Sequence, residues 1–454
     1  MLVKESPSKI AQTGFSDFDF YFNKNKTVAI TGVGLDFSKP FEIDSEVPLY
    51  SATVVVGDKN SVIKDYHRYY LKKIATSQLL PQITSNTWGD GNADSRINHD
   101  FILKELEVAS FLGVDVVQLD DGWQKGHTAG SKVKKGGAQI GKGMYDQQQD
   151  FWEVRETFKN GLAPILEKAN ELGVEIGLWY SCDATKDYKY YQTDIKNVCE
   201  LFSKHNVTTF KIDGVRIENK KCEKNVIKIL ETVTKSTQNK IKFNMDITAG
   251  KRFGYLYNIQ YGNLFLENRY TKNRTYYPSR TLKNLWELSK YIPSIRFQIE
   301  VCNLKNNVEE YKNDLLSISN YSIDYAFAVS MMANPLIWME MQNLSDDDKV
   351  KLSKIISVYK AHRESLSKCF IQPIGLTPSG VGFTGFKADD NEKGYLLLFK
   401  EQNSENSFEF NVQLKNKKLT TLYKSSSDIK VKKVGNKVVL KAKTPNSFIF
   451  IKYE

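Results

Sequence analysis

Through the middle of the chain, short apolar runs alternate with stretches of helical periodicity. Eight runs read as strands: QITSNTW (82–88), VDVVQLDDGW (114–123), VEIGLWY (174–180), VTTFKIDG (207–214), IKFNMDIT (241–248), NLFLENRYT (263–271), IRFQIEV (295–301) and DYAFAVSMMANP (324–335). Between most of them the apolar positions switch to a helical period, as in HDFILKELEVASFLG, GLAPILEKANELG, YQTDIKNVCELFSKH, EKNVIKILETVTKST and SRTLKNLWELSKYI. Alternation alone indicates an α/β fold, and the count of eight favours closure into a (β/α)8 TIM barrel. SDDDKVKLSKIISVYKAHRESLSK (345–368) begins with an acidic N-cap region and stays periodic, which predicts a long final helix.

The flanks read differently. Residues 1 to about 75 predict a short β region from KTVAITGVGLDF and YSATVVVG, leading into the helical VIKDYHRYYLKKI. After 370, GYLLLFK, SFEFNVQL, TTLYK, KVVLKAK and NSFIFIKY recur at short spacing, which predicts a C-terminal antiparallel β-sandwich. With 454 residues, the chain exceeds one ordinary core. The expected division is an N-terminal β region at 1–75, a barrel at 76–369 and a sandwich at 370–454.

Composition narrows the function classes. Apolar residues make up 41% and charged residues 26%, as in ordinary soluble domains. The net charge of +11 raises nucleic acid as a partner. However, the lysines are spread over the whole chain, and dense runs such as SKVKKGG and ENKKCEKN hold no regular aromatic partners. A solvated lysine-rich surface, with no nucleic-acid partner, is the expectation. The five cysteines (182, 199, 222, 302, 369) form no CxxC pair, and the histidines form no HxH or HExxH spacing. Neither a disulfide framework, nor a metal, nor another cofactor is expected. MLVKESPSKIAQTGFSDFDF has no apolar signal region, and no run of about 18 apolar residues occurs. The expectation favours the cytoplasm, with no membrane partner, and a periplasmic or secreted chain from which a signal was removed stays open.

In such a barrel, working side chains stand at the C-terminal ends of strands. Carboxylates recur there: GDGN after NTW, then LDDGW, WYSCD, KID, MDITAGKR, LENRYT and QIEVCN. One aspartate at a strand end is most often a helix N-cap, and Asp-Gly is a turn pair. Repetition from strand to strand, together with Trp88, Trp123 and Trp179 at strand ends, points instead to a sugar site. Carboxylates bind hydroxyls, indole faces stack on the C–H faces of a pyranose, and two carboxylates can break a glycosidic bond. Trp286 and Trp338 read as helix or core packing. In FKIDG, Lys211 and Asp213 share one strand face, and Gly214 ends the strand.

TSNTWGDGNADSRINHDFILKELEVASFLGVDVVQLDDGWQKG resembles the first two βα units of glycoside hydrolase family 36, the α-galactosidase family. FKIDG is similar to that family's KxD strand, and NMDITAGKRFGYLYNIQYGNLFLENRYT to the segment that leads to its acid/base. The resemblance implies a retaining hydrolase of clan D acting on an oligosaccharide or glycoconjugate. Its nucleophile would follow strand 4 (Asp213) and its acid/base strand 6 (Glu267), the positions that the strand count also reaches. It further implies that Asp120 and Asp121 grip two ring hydroxyls and that Lys211 binds hydroxyls while keeping Asp213 ionised. Trp88, Trp123 and Trp179 would wall the pocket, and Arg252 would match the arginine of the family's GGGR stretch. Three departures stand out. FLENR occupies the place of the family's WTSD, TAGKR that of GGGR, and Asn263 that of an arginine for which Arg269 would substitute. An α-N-acetylgalactosaminidase, a galactosyl-transferring enzyme and a sugar-binding barrel without catalysis stay open as alternatives, as does the oligomeric state.

Overall fold

The computed structural model describes residues 1–12, 18–35, 40, 49–58, 61–74, 79–390, 393–414 and 417–454. At the N-terminus, β1 (Leu2–Glu5) pairs with β4 (Ser51–Val54), and β2 (Phe20–Phe22) with β3 (Val28–Ile30), both antiparallel. Helix α1 (Val62–Leu71) follows, burying Tyr66 and Tyr70. The expected boundary at 75/76 lies outside the described residues.

Eight parallel strands then close a barrel: β5 (Thr84–Asn86), β6 (Val116–Leu119), β7 (Glu175–Ser181), β8 (Thr209–Asp213), β9 (Lys242–Asp246), β10 (Gly262–Phe265), β11 (Phe297–Val301) and β12 (Asn334–Trp338). Its helices are α2 (His99–Leu112), α3 (Met144–Gln147), α4 (Ala163–Leu172), α5 (Thr185–Tyr188), α6 (Tyr191–His205), α7 (Lys220–Ser236), α8 (Tyr255–Asn258), α9 (Pro278–Leu288), α10 (Ile323–Ser330) and α11 (Asp346–Ser367). Local chemistry sets several of their ends. Asn98 Oδ1 accepts from the Phe101 N–H at the start of α2, Asn219 does the same for α7, and Gly113 closes α2 in the left-handed region. Ser345 caps α11, with Asp346, Asp347 and Asp348 in its first turn, where the helix dipole favours negative charge.

The eighth strand differs from the expectation. DYAFAVSMMANP is not a strand: Ile323–Ser330 is helix α10, and the strand is Asn334–Trp338. Every residue of α10 is buried, so the segment has no polar face and its sequence carries no helical period to distinguish it from a buried strand. The sixth strand is also shorter than expected. β10 ends at Phe265, which leaves Glu267, Arg269 and Tyr270 in the loop beyond it.

The C-terminal strands are β13 (Phe370–Gly375), β14 (Phe383–Asp390), β15 (Lys393–Lys400), β16 (Ser407–Asn411), β17 (Leu419–Lys424), β18 (Lys430–Val434), β19 (Lys437–Lys441) and β20 (Ser447–Tyr453). They form a five-stranded sheet, β13-β14-β15-β20-β17, and a three-stranded sheet, β16-β19-β18. β15 is apolar on both faces. Leu396 and Leu398 join a core with Phe410, Val438 and Leu440 of the smaller sheet. Tyr395, Leu397 and Phe399 face the barrel side, where Phe399 meets Tyr325 of α10 at 5.3 Å between ring centroids. Among the described residues, no helix is long and apolar enough to cross a membrane.

The α11 cap makes a simple test of helix anchoring. Ser345→Ala is expected to cost about 1 kcal/mol, read as a small drop in Tm by calorimetry. An unchanged Tm would mean that the acidic first turn holds the helix start without the hydroxyl.

Candidate active site

β6, β7, β8 and β9 are neighbours in the barrel, and their upper ends build one charged cluster. Alternation along β8 sends Thr209, Lys211 and Asp213 to the same face. Lys211 pairs in register with Trp179 of β7 and Asn244 of β9. Its Nζ lies 3.0 Å from Asp120 Oδ2, 3.7 Å from Asp246 Oδ2 and 4.0 Å from Asp213 Oδ2. The Phe265 and Trp338 rings stand 5.4 and 5.3 Å from the same ammonium. Burial opposes the lysine's charge, but the three carboxylates outweigh it and hold the group protonated well above its ordinary range.

The three aspartates are held differently. Asp120 accepts from Asn86 Nδ2 (2.7 Å) and, through Oδ1, from the Asp121 N–H (2.9 Å). Asp246 accepts from the N–H and Oγ1 of Thr248 at 3.1 and 2.7 Å. Its burial and the adjacent Asp213 charge push it up to about 7, against the pull of Lys211. Asp213 accepts from Trp179 Nε1 at 3.0 Å and from its neighbour's Gly214 N–H at 2.6 Å. Its side chain is 20% exposed, against 3% for Asp120 and Asp246, so Asp213 is the member of this trio that an incoming ligand reaches. Gly214 has φ +68°, and a Cβ there would stand 2.7 Å from Ile140 Cγ2 and 3.1 Å from the Gly141 nitrogen. Glycine therefore allows both the turn and the close approach of the loop after β6.

Several expected site residues stand elsewhere. Asp121 does not face the mouth. Gln124 Nε2 donates to its Oδ1 at 2.6 Å and Thr128 Oγ1 to its Oδ2, so it ties down the β6 loop; burial raises it to about 7 despite those bonds. Trp123 is fully buried, donates from Nε1 to the Trp179 carbonyl (2.8 Å) and packs on Trp152, so it walls nothing. Trp179 is also fully buried and acts by gripping Asp213 rather than by offering a face. Trp88, two residues past β5, is half-buried, with its backbone N–H held by Asn86 Oδ1 at 2.8 Å. Arg252 donates from Nε to the Ile247 carbonyl just beyond β9.

Glu267 makes its contacts with other partners than the Lys211 cluster. Its Oε2 pairs with Arg269 Nη2 at 2.7 Å, and its Oε1 accepts from Asn284 of α9. Arg269 is buried and reaches Glu300 Oε2 at 3.2 Å with its other arm, linking the loop after β10 to the end of β11. Glu300 is raised to about 7, chiefly by burial, with Arg269 opposing. The Glu267 side chain is 45% exposed, more open than Asp213.

Sequence reasoning missed Asp246, Asn86, Glu300 and Tyr270. Asp246 and Glu300 were visible as strand-end carboxylates without a role. Trp338, read as core packing, is fully buried at the end of β12 with its ring near the Lys211 ammonium. Tyr270 packs on Trp338 (5.9 Å between centroids) and lies in the field of Lys211, Asp120, Asp246 and Asp213, although burial is the main cause of its raised hydroxyl. No periodicity marks a loop residue of that kind.

No family model matches the chain. In sequence it is 31% identical to an α-galactosidase of Escherichia coli over 122 residues, 26% of this chain and 15% of that protein. It is 27% identical to the α-galactosidase AgaA of Geobacillus stearothermophilus over 125 residues, again 26% of this chain and 15% of that one. In structure it matches the family 36 α-galactosidase AgaA of G. stearothermophilus with TM-score 0.61 at 15% identity, covering 89% of this chain and 60% of that one. The galactosidase domain of the α-galactosidase–sucrose kinase AgaSK gives TM-score 0.63 at 13% identity, covering 89% and 59%. The chain is thus α-galactosidase-like in sequence over about a quarter of its length. It has the fold of the family 36 enzymes, a closed barrel followed by antiparallel sheets.

Buried acids give the fold a pH signature. Glu105, Asp121, Asp194, Asp246 and Glu300 are each raised to about 7, with burial the largest cause in every case. The folded chain keeps these protons where the unfolded chain has lost them, so their contribution is full below the ordinary carboxylate range and lost as pH rises through about 7. Tm measured by calorimetry should fall between about pH 5 and about pH 8. A Tm that stayed level or rose across that window would contradict the burial described here.

Proposed function

We propose that this chain hydrolyses terminal α-galactosides with retention, by double displacement. The observation that carries the reading is Asp213, held by Trp179 and Gly214 at the open edge of the Lys211 cluster. Its grip by two N–H donors fixes the carboxylate for attack on an anomeric carbon. Lys211 and Asp120 would meet ring hydroxyls, and Asp246 and Asn86 would hold that pair in position. Half-buried Trp88 and Tyr270 would supply the apolar contact that a pyranose face needs. Support for α-galactosides comes from the relatives: two are named α-galactosidases, and AgaA variants have been solved with stachyose and with raffinose.

Glu267 is our acid/base. It sits just past the sixth barrel strand, and its half-exposed carboxyl can be reached by a leaving oxygen, which the buried Glu300 cannot. Arg269 and Asn284 would orient it, and Arg269 would act through Glu267 and not on the ring. Arg252, beside the end of β9, would contact substrate beyond the ring. Catalysis would reside in residues 76–369, with 1–75 and 370–454 as flanking parts. The separate core between the two C-terminal sheets supports that division.

Two variants and one stereochemical measurement test this. Asp213→Asn is expected to lower kcat on an aryl α-galactoside by at least about 10³-fold. Glu267→Gln should lose about 10²–10⁴-fold on raffinose-type substrates but far less on aryl galactosides, whose leaving groups need no proton. Proton NMR of the first product should show α-galactose; β-galactose appearing first would rule out retention, and full activity in Asp213→Asn would remove the nucleophile.

A further inference from the structure

The mouth of the barrel is negative inside and positive on one side of its rim. Between Gly122 and Tyr145 the chain carries five lysines and neither aspartate nor glutamate. Two of the five are used locally: Lys125 pairs with Asp150 and Glu153, and Lys132 donates to the Gly91 carbonyl. Lys134, Lys135 and Lys142 are exposed, and none of them makes an ion pair among the described residues.

This segment is fastened to the site at three points. Thr128 donates to Asp121. A Cβ on Gly130 would lie 3.5 Å from the Trp88 ring. The backbones of Gly141 and Gly214 touch so closely that a Cβ on Gly141 would collide with the Gly214 carbonyl. Lys142 is therefore attached one residue from a backbone contact with the residue that follows Asp213.

Two arginines continue the same side. Arg216 lies two residues past Gly214, and the Ile217 N–H donates to the Lys251 carbonyl at 3.0 Å, which lays the loop of Arg216 against that of Arg252. Both arginines are half-buried, and neither forms an ion pair among the described residues. On neighbouring loops Lys251 pairs with Glu218, Lys189 with Asp146 and Arg274 with Asp314, while exposed Lys186 and Lys272 form no ion pair among the described residues. Five cations without an acidic partner among the described residues thus stand on the outlets of β6, β8 and β9.

The two signs sort a substrate by parts. One buried ammonium already faces three carboxylates, which disfavours an anionic ring at Asp213. The rim suits an anion: arginine forks match sulfate and carboxylate oxygens, and flexible lysines raise the local concentration of a negative ligand. Resting on the glycosidase reading above, we infer that the substrate is an anionic glycan. A neutral terminal galactosyl unit enters the barrel, while a sulfate or uronate group on the adjoining sugar lies against Lys134, Lys135, Lys142, Arg216 and Arg252.

The test uses the full chain and three matched α-galactosyl oligosaccharides: neutral, sulfated on the adjoining sugar, and with a uronate in that place. The readout is the ratio of kcat/KM for each anionic form to that of the neutral form. At about 20 mM salt at least one ratio should exceed about 10, and it should fall toward 1 at about 500 mM, where screening shortens to a few ångströms. The combined variant Lys134→Glu, Lys135→Glu, Lys142→Glu should lower the same ratio at low salt. The form that gains more, sulfate or uronate, identifies the anion. Ratios of 1 or below at low salt, or a preference that salt does not touch, overturn the inference, and the wild-type salt series decides this even if the variant does not fold. Should no oligosaccharide be cleaved, the glycosidase reading fails separately. Calorimetric binding of the same three compounds then decides: tighter, salt-sensitive binding of an anionic form supports the inference, and equal or absent binding overturns it.

Discussion

Lys211 is the buried charge around which the upper barrel is organised. An ammonium with 3% exposure is strongly unfavourable unless anions surround it, and here three strands each supply one. Removing one partner from such a cluster costs on the order of 3–5 kcal/mol, because the remaining charges stay buried without compensation. The requirement runs in both directions. Three carboxylates gathered at the ends of β6, β8 and β9 would repel one another without the cation, and the proton on Asp246 relieves the excess that one ammonium cannot match. Aromatic faces beneath the ammonium, Phe265 and Trp338, complete its surroundings without adding another anion. The result is a stiff polar floor on which only Asp213 presents an accessible edge.

Much of this was legible because strand periodicity is strict. Lys211 and Asp213 could be assigned to one face from their spacing, and the closed barrel followed from eight buried runs. The failures have identifiable causes. Ile323–Ser330 is buried on all sides, so no pattern separates helix from strand. Asp121 and Trp123 occupy the stretch that looks most site-like, DDGW, yet a turn alternates directions within two residues. Asp120 faces Lys211 while Asp121 turns to Thr128 and Gln124. Trp179 was rightly placed at a strand end, but its polar N–H matters more than its face. Such roles depend on which neighbour stands within about 3 Å, a distance that sequence spacing along one strand does not report.

The second carboxylate shows a different dependence. Glu267 is not fixed by its own strand but by Arg269, which spans from the exposed Glu267 to the buried Glu300. A residue of the loop after β10 is thereby tied to the end of the next barrel strand, β11. The five-stranded C-terminal sheet works on a larger scale in the same manner. Because β15 is apolar on both faces, one face builds the sandwich and the other closes the side of the barrel at α10. Removing that sheet would uncover Tyr325 and its neighbours, so the C-terminal part belongs to the barrel's core as well as to its own.

The contact between Gly141 and Gly214 has a consequence for how such a chain can diverge. Neither backbone has room for a side chain on the facing side, so the loop that bears the rim lysines and the turn that presents Asp213 are mechanically one piece. The N–H of Gly214 is itself a donor to the Asp213 carboxylate. A mutation that reshapes the loop at this point therefore reaches the reactive oxygen through a single peptide unit. Charges further out on the loop can be exchanged one at a time, whereas its path past Gly214 cannot. Evolution of this mouth is free in what the rim attracts and tightly constrained in where the rim begins.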